Sequence, residues 1–266
     1  MKLFISADME GISGIVHNDQ RNRDGRDYEK SRKLMTEEVN AAVQGAVEAG
    51  VKEIVVNDSH DTMRNIIPQD LHPAASLISG DYKPLSMMQG IDKSFDFVFF
   101  IGYHAKRGTA KAVMDHTYTE SSIYRLRING KPYGETGING AVAGYFKVPV
   151  ILVCGDEQLV KEAKATLGNV VTVPVKFGQG RTSARNIHPE KVKQLIRIAA
   201  KEAIQRRKEF NPLIFKSPIT LDLDFIYTFQ ADRACRIPGI KRTGDASVRY
   251  VSKDYLEMFR VFLAML

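Results

Sequence analysis

Short unbroken apolar runs alternate along this chain with stretches whose apolar residues recur three or four positions apart, which predicts strands exchanged with helices. The run at 2–7, Lys-Leu-Phe-Ile-Ser-Ala, reads as a strand and is followed by a polar loop. Over 29–49, Leu34, Val39, Ala42, Val43 and Ala46 recur at helical spacing, and Gly50 is a natural stop. A second strand covers 52–57. A loop holding Pro68 and Pro73 then leads to the short apolar run Ser76–Ser79 and a strand at 96–102. Residues 123–129 read as a strand closed by the turn Gly130-Lys131-Pro132-Tyr133-Gly134. The helix expected at 135–146 carries Gly137, Gly140, Ala141, Ala143 and Gly144, small residues that allow close packing on a sheet. A buried-type strand at 148–155, a helix at 156–167 and a strand at 170–175 follow. The whole implies an α/β fold with a doubly wound, mostly parallel sheet.

The pattern changes near Phe177-Gly178-Gln179-Gly180. Beyond it come a long basic helix at 189–209, a strand at 219–226, a short helix near 230–236, a strand at 247–252 and an amphipathic helix at 253–265. These read as a smaller C-terminal α+β domain, so the expected division is 1–178 and 179–266. No internal repeat or low-complexity tract interrupts either part.

A length of 266 residues fits one large domain or two modest ones. The 44% hydrophobic and 26% charged fractions are ordinary for a soluble globular chain. No apolar run reaches the ~18 residues of a membrane span, and the amino terminus enters a strand without a cleavable signal pattern. Cys154 and Cys235 are solitary, so neither a disulfide framework nor a thiolate zinc site is indicated. The expected location is cytoplasmic. A net charge of +7 raises the question of nucleic acid. Lys and Arg are scattered, however, with clusters at 21–33, 106–111, 206–208 and 241–249 that acids mostly dilute, and no nucleic-acid motif accompanies them. They read as solvated surface that helps attract carboxylate-bearing substrates.

Three of the expected strands end in residues able to bind metal. Asp8-Met9-Glu10 follows the first, Asn57-Asp58-Ser59-His60 closes the second, and Tyr103-His104 closes the strand at 96–102. In an open parallel sheet the carboxyl ends of neighbouring strands converge on one crevice, so groups this far apart in sequence are expected at one rim. Asp8 and Glu10 point to one side of an extended backbone, and two carboxylates so close repel unless a cation lies between them. Each motif alone has a plainer reading: an acid pair opening a loop, Asp and Ser capping a turn, a histidine bonded to backbone. Glu135 is locally an ordinary first-turn acid favoured by the helix dipole. The coincidence of three motifs favours metal. If Asp8, Glu10, His60, His104 and Glu135 all bind, five protein ligands suit two metals sharing a bridging carboxylate. One catalytic zinc commonly takes three ligands and keeps a position open. Two-metal sites hold their ions ~3.5–4 Å apart and generate a hydroxide nucleophile at neutral pH. The mixed oxygen and nitrogen set points to zinc, with manganese or cobalt as alternative occupants.

His116, in Met114-Asp115-His116-Thr117, is a candidate general acid or base, and on spacing alone equally a surface histidine. Asp115 is adjacent and is not expected to orient the ring. His17 is expected at the surface. His72 and His188 each precede a proline and read as turn or helix-start residues.

The segments Asp8-Met9-Glu10-Gly11-Ile12-Ser13-Gly14, Asn57-Asp58-Ser59-His60, Leu77-Ile78-Ser79-Gly80-Asp81, Gly102-Tyr103-His104-Ala105 and Gly134-Glu135 resemble those of the D-aminopeptidase family, the M55 peptidases. The resemblance runs along nearly the whole chain and is strongest over 1–160. It implies a site for two zinc ions with Asp8, Glu10, His60, His104 and Glu135 as ligands and Asp8 as the bridge. The family's catalytic histidine falls on His116, in a context close to the family's Met-x-His pattern. None of these positions departs from it. The resemblance further implies ring-like homo-oligomers whose sites face an internal chamber, restricting substrates to short peptides. On that view 1–178 is the metal-binding catalytic domain, and 179–266 serves oligomerisation and substrate access.

The expected activity is therefore that of a zinc-dependent aminopeptidase. It would cleave the first peptide bond of short peptides, with an N-terminal D-residue implied by the resemblance, through a two-metal hydroxide mechanism assisted by a histidine. A two-metal phosphoesterase is a second reading, since positive charge suits a phosphate substrate. A peptide-binding protein without catalysis is a third, against which the intact constellation argues. The expected partner is a short peptide, with neither nucleic acid nor membrane.

Overall fold

The computed structural model describes residues 1–266. In chain order the elements are β1 (Lys2–Ala7), α1 (Asn18–Arg21), α2 (Tyr28–Glu48), β2 (Glu53–Asp58), β3 (Ala75–Ile78), β4 (Phe97–Tyr103), β5 (Ile123–Ile128), β6 (Lys131–Pro132) and α3 (Glu135–Tyr145). They continue as β7 (Val150–Asp156), α4 (Glu157–Leu167), β8 (Val171–Gly180), β9 (Ser183–Asn186), α5 (Pro189–Gln205), β10 (Ile219–Phe225), α6 (Thr228–Ala234), β11 (Lys241–Gly244), β12 (Ser247–Ser252) and α7 (Tyr255–Ala264).

A large sheet runs in the order β3-β2-β1-β4-β7-β8-β9, parallel throughout except for β9. Its central strands are buried on both faces, as parallel strands covered by helices must be. Side chains therefore alternate between two cores. Leu3, Ile5, Phe97, Phe99 and Ile101 face the layer of α2 and α5, while Phe4, Val98 and Phe100 face the layer of α3, α7 and a second sheet. The two covering helices α2 and α5 approach closely because Gly45 has no Cβ; one built there would lie 2.4 Å from Arg197 O.

From β1 the chain winds outward through β2 to β3, then returns to place β4 on the other side of β1. Strand order thus reverses between β1 and β4, the switch point at which open α/β sheets bind ligands beyond the carboxyl ends of their strands. The second sheet is antiparallel, in the order β11-β12-β10-β5-β6.

The expected division at 178/179 is crossed in both directions. β5 and β6, from the first half, pair into the small sheet. From the second half, β9 extends the large sheet and α5 lies against α2. The basic helix is shorter than expected, ending at Gln205 before a separate turn at Arg207–Glu209. Four elements lie where the sequence predicts only loop or turn: α1, β6, β9 and β11. β11 (Lys-Arg-Thr-Gly) is exposed at every position, so no alternation marks it. No helix is long and apolar enough to cross a membrane.

Candidate metal centre and active site

Two glycines bring the first and third motifs together. A Cβ on Gly11 would lie 1.9 Å from Tyr103 O, and one on Gly102 would lie 2.1 Å from Asp8 O. Without them the strand ends interlock: Asp8 N donates to Ile101 O at 2.8 Å and Gly11 N to Gly102 O at 2.7 Å. Gly102 also has φ of +72°, in the left-handed region. Ser59 N in turn donates to Ala7 O at 2.8 Å, bringing His60 to the same rim.

The result is one basin at the switch point, about 580 Å³, lined by Asp8, Glu10, His60, His116 and Glu135 among others. His104 lies against the same groups, and all six side chains are buried. His60 Nδ1 is 3.3 Å from Asp8 Oδ1 and 2.9 Å from Glu10 Oε2. His104 Nε2 is 3.6 Å from Asp8 Oδ2 and 3.3 Å from Glu135 Oε1. His116 Nε2 stands 3.9 Å from Glu10 Oε1 and 3.8 Å from Glu135 Oε1.

Each imidazole spends its other nitrogen on backbone. His60 Nε2 lies 3.0 Å from Arg21 O, His104 Nδ1 3.0 Å from Ala105 O, and His116 Nδ1 2.9 Å from Met114 O. A carbonyl accepts only, so each of these nitrogens carries the proton, and in the neutral ring the inward nitrogen is left with a lone pair. Metal-ligating histidines are oriented in this way.

The electrostatics show what the basin demands. Burial, and then the charge of Glu10, pushes the Asp8 carboxyl up to about 7. Burial opposes ionisation of Glu10 too, yet His60 beside it holds that carboxyl well below its usual range. Glu135 is likewise lowered against its burial by His104. His60 and His104 rise well above the ordinary imidazole range, because Glu10 and Glu135 respectively outweigh burial. His116 moves the other way, lowered by burial and by the neighbouring His104. Negative charge thus crowds a dry site and draws protons onto the imidazoles beside it.

Two buried atoms there find no hydrogen-bond partner: Glu10 Oε2 and His104 Nε2. The first has His60 Nδ1 close by, but the approach lacks hydrogen-bond geometry. Two ligand groups meet the spacing a metal ion needs, Asp8–Glu10–His104 and His104–His116–Glu135, each with its ligand atoms within 4.8 Å of one another. Orphaned buried donors and acceptors facing one another, with an oxygen and nitrogen set, fit zinc.

Other expectations meet their neighbours as follows. Asp58 does not face the basin; it accepts from Asn65 N at 2.5 Å and Ile66 N at 2.6 Å, holding the loop after His60. Asp115 does not orient His116; it accepts from Gly108 N at 2.6 Å and pairs with Arg181 at 3.3 Å. His17 is largely exposed and caps α1, accepting from Asp19 N. His188 caps α5 ahead of Pro189, and His72 bonds Gln44 at 3.0 Å.

Sequence reasoning missed three cations around the site. Arg21 Nη1 donates to Glu10 Oε1 at 2.9 Å, and its Nη2 donates to Glu120. Lys83 lines the basin. Lys176, fully buried in the middle of β8, donates to the carbonyls of Glu10, Ile12 (2.8 Å) and Ile15 (2.5 Å). The one visible signal was Lys176 itself, a charge inside the apolar run Val-Thr-Val-Pro-Val-Lys-Phe.

A switch-point basin of buried carboxylates and imidazoles, on a doubly wound sheet, defines a metal-dependent hydrolase. The chain belongs to the M55 peptidase family, D-aminopeptidase, whose family model matches residues 1–264. It is 40% identical to a D-aminopeptidase of Bacillus subtilis (strain 168), over 100% of this chain and 96% of that protein. Its structure superposes with a TM-score of 0.96 and 39% identity on the Zn-dependent D-aminopeptidase DppA from Bacillus subtilis, a self-compartmentalizing protease, covering 100% of this chain and 96% of that one.

Proposed function

We propose that this chain is a zinc aminopeptidase that removes the amino-terminal residue of short peptides, with a preference for an N-terminal D-residue. The observation that carries it is the gathering of six buried acidic and imidazole side chains in one basin, with Glu10 Oε2 and His104 Nε2 unpartnered. The names of the relatives support the bond and the handedness.

Asp8, Glu10, His60, His104 and Glu135 would hold two zinc ions. Bound there, the pair supplies Lewis-acid polarisation of the scissile carbonyl and acidifies water at neutral pH. The chain's own residues do the rest. The outward N–H groups of His60 and His104, fixed on Arg21 O and Ala105 O, keep both rings turned inward. Arg21 stabilises Glu10 as the carboxylate. His116 stands in the basin with its imidazole neutral, its Nδ1 proton held by Met114 O, and its Nε2 free to take a proton and pass it to the leaving amine. Arg21, a natural phosphate receptor, is already matched by Glu10 and Glu120, which favours a peptide over a phosphoester.

We also place this chain in a homo-oligomer that encloses its sites, in line with the self-compartmentalizing relative. Tyr227 and Phe229, stacked on one another and each 59% exposed, supply apolar surface for such contacts. The test of the function is a panel of short peptides of both handednesses, assayed with defined metals. Release of the first residue, faster for the D-series and lost on chelation, is expected; phosphoester cleavage without peptide cleavage would overturn the reading.

A further inference from the structure

A short peptide has two charged ends, and in an aminopeptidase the amino end lies one residue from the bond that is cut, which leaves the carboxylate to be met elsewhere in the basin. Of the Lys and Arg side chains that line the basin, Arg21 has its charge met by Glu10 and Glu120. Lys83 is different. Its Nζ donates at 2.6 Å to Asn57 Oδ1 and at 2.6 Å to Asp58 O, both neutral acceptors, and it forms no ion pair. The Asp58 carboxylate is turned away onto Asn65 and Ile66, and Asp81 is exposed. An ammonium has three donors, so one N–H remains on a half-buried side chain held in place by the other two, while Asp58 and Asp81 favour its charge without bonding it. Burial already lowers this ammonium to about 8, a cost that an approaching anion relieves.

We propose that Lys83 receives the C-terminal carboxylate of the substrate and so selects free-acid dipeptides. This deepens the aminopeptidase reading and rests on it. The placement agrees. Lys83 lines the same basin as Asp8, Glu10 and His60 and is anchored on Asp58 O, two residues before His60. A dipeptide carboxylate ends one residue length, ~3.8 Å, beyond the bond that is cut, so both ends of so short a substrate fall within this one basin. Met63 and Met87 line the same basin with apolar surface, which strengthens a charge-assisted hydrogen bond formed beside them.

The experiment compares alanyl-alanine with alanyl-alanine amide, in both handednesses, on the zinc-loaded protein and on Lys83→Gln and Lys83→Arg. Steady-state kinetics are paired with calorimetric binding of the uncleavable reduced-bond analogues of acid and amide. The wild type is expected to favour the acid by about tenfold or more in kcat/KM and in affinity. In Lys83→Gln the two forms should become equivalent, chiefly through KM for the acid, and Lys83→Arg should restore much of the preference. A merely structural lysine would lower acid and amide alike. Equal handling of acid and amide by the wild type, or an undiminished preference in folded Lys83→Gln, would overturn the proposal. The wild-type comparison decides even if Lys83→Gln does not fold. Absence of hydrolysis of either peptide would sink the aminopeptidase reading instead, while analogue binding still reports on Lys83.

Discussion

His104 and His116 lie ring upon ring, 4.2 Å between centroids and 14° between planes. Two stacked imidazoles in a dry site do not share positive charge readily. Glu135 stands 3.3 Å from His104 and 3.8 Å from His116, so its carboxylate favours a proton on His104, while burial and that neighbouring ring lower His116. The stack thus gives two chemically identical side chains opposite tendencies.

His116→Ala should therefore lose hydrolysis while keeping its metal. A general acid or base contributes ~10²–10⁴-fold, so turnover should fall at least about a hundredfold. Elemental analysis of the same preparation should give the wild-type zinc content. Normal turnover would remove His116 from the mechanism.

His60→Ala and His104→Ala should do the opposite, lowering zinc content along with activity. Unchanged stoichiometry in both variants would refute their place as ligands. Chelation of the wild type should lower its melting temperature, because a ligand bound only to the folded state stabilises it.

Gly11→Ala should destabilise the fold and not merely slow it. A Cβ 1.9 Å from Tyr103 O forces apart the two strand ends that carry Asp8 and His104. The expected loss is about 2 kcal/mol or more, read in a denaturant melt. Wild-type stability with an intact site would show that the junction yields.

Glu38 carries a pH dependence of its own. Burial pushes its carboxyl up to about 7, although Ser13 N donates to it at 2.8 Å and its Oε2 has no partner. The folded protein therefore keeps this proton where the unfolded chain has lost it. The folded state binds more protons between the ordinary carboxyl range and about 7, so stability falls as pH rises across that window. Glu38→Gln keeps the acceptor for Ser13 N and removes the penalty. Relative to wild type it should gain up to about 3 kcal/mol at about pH 8 and nothing at about pH 4. Parallel melting curves at both pH values would refute this.

Much of this fold was legible because a parallel sheet buried on both faces writes itself as unbroken apolar runs; β1, β4 and β7 are of that kind. The basin was legible for a related reason: Asp8, His60 and His104 each sit where such a run stops. The small sheet was not. β5 and β10 pair across a long stretch of chain, and only that pairing assigns β5 to its sheet. Arg21 and Lys83 escaped notice because nothing local distinguishes a cation that turns inward from one that stays in water, and Lys176 showed only its place in an apolar run. Their roles exist only once Glu10, Asp58 and the 10–15 turn come to meet them.

Lys176 has one more consequence. The carbonyls of Glu10, Ile12 and Ile15 are gathered on a cation tethered to the polypeptide, independent of anything captured from solution. The bend that presents Glu10 is consequently fastened by a charge the polypeptide carries itself, and its shape belongs to the fold.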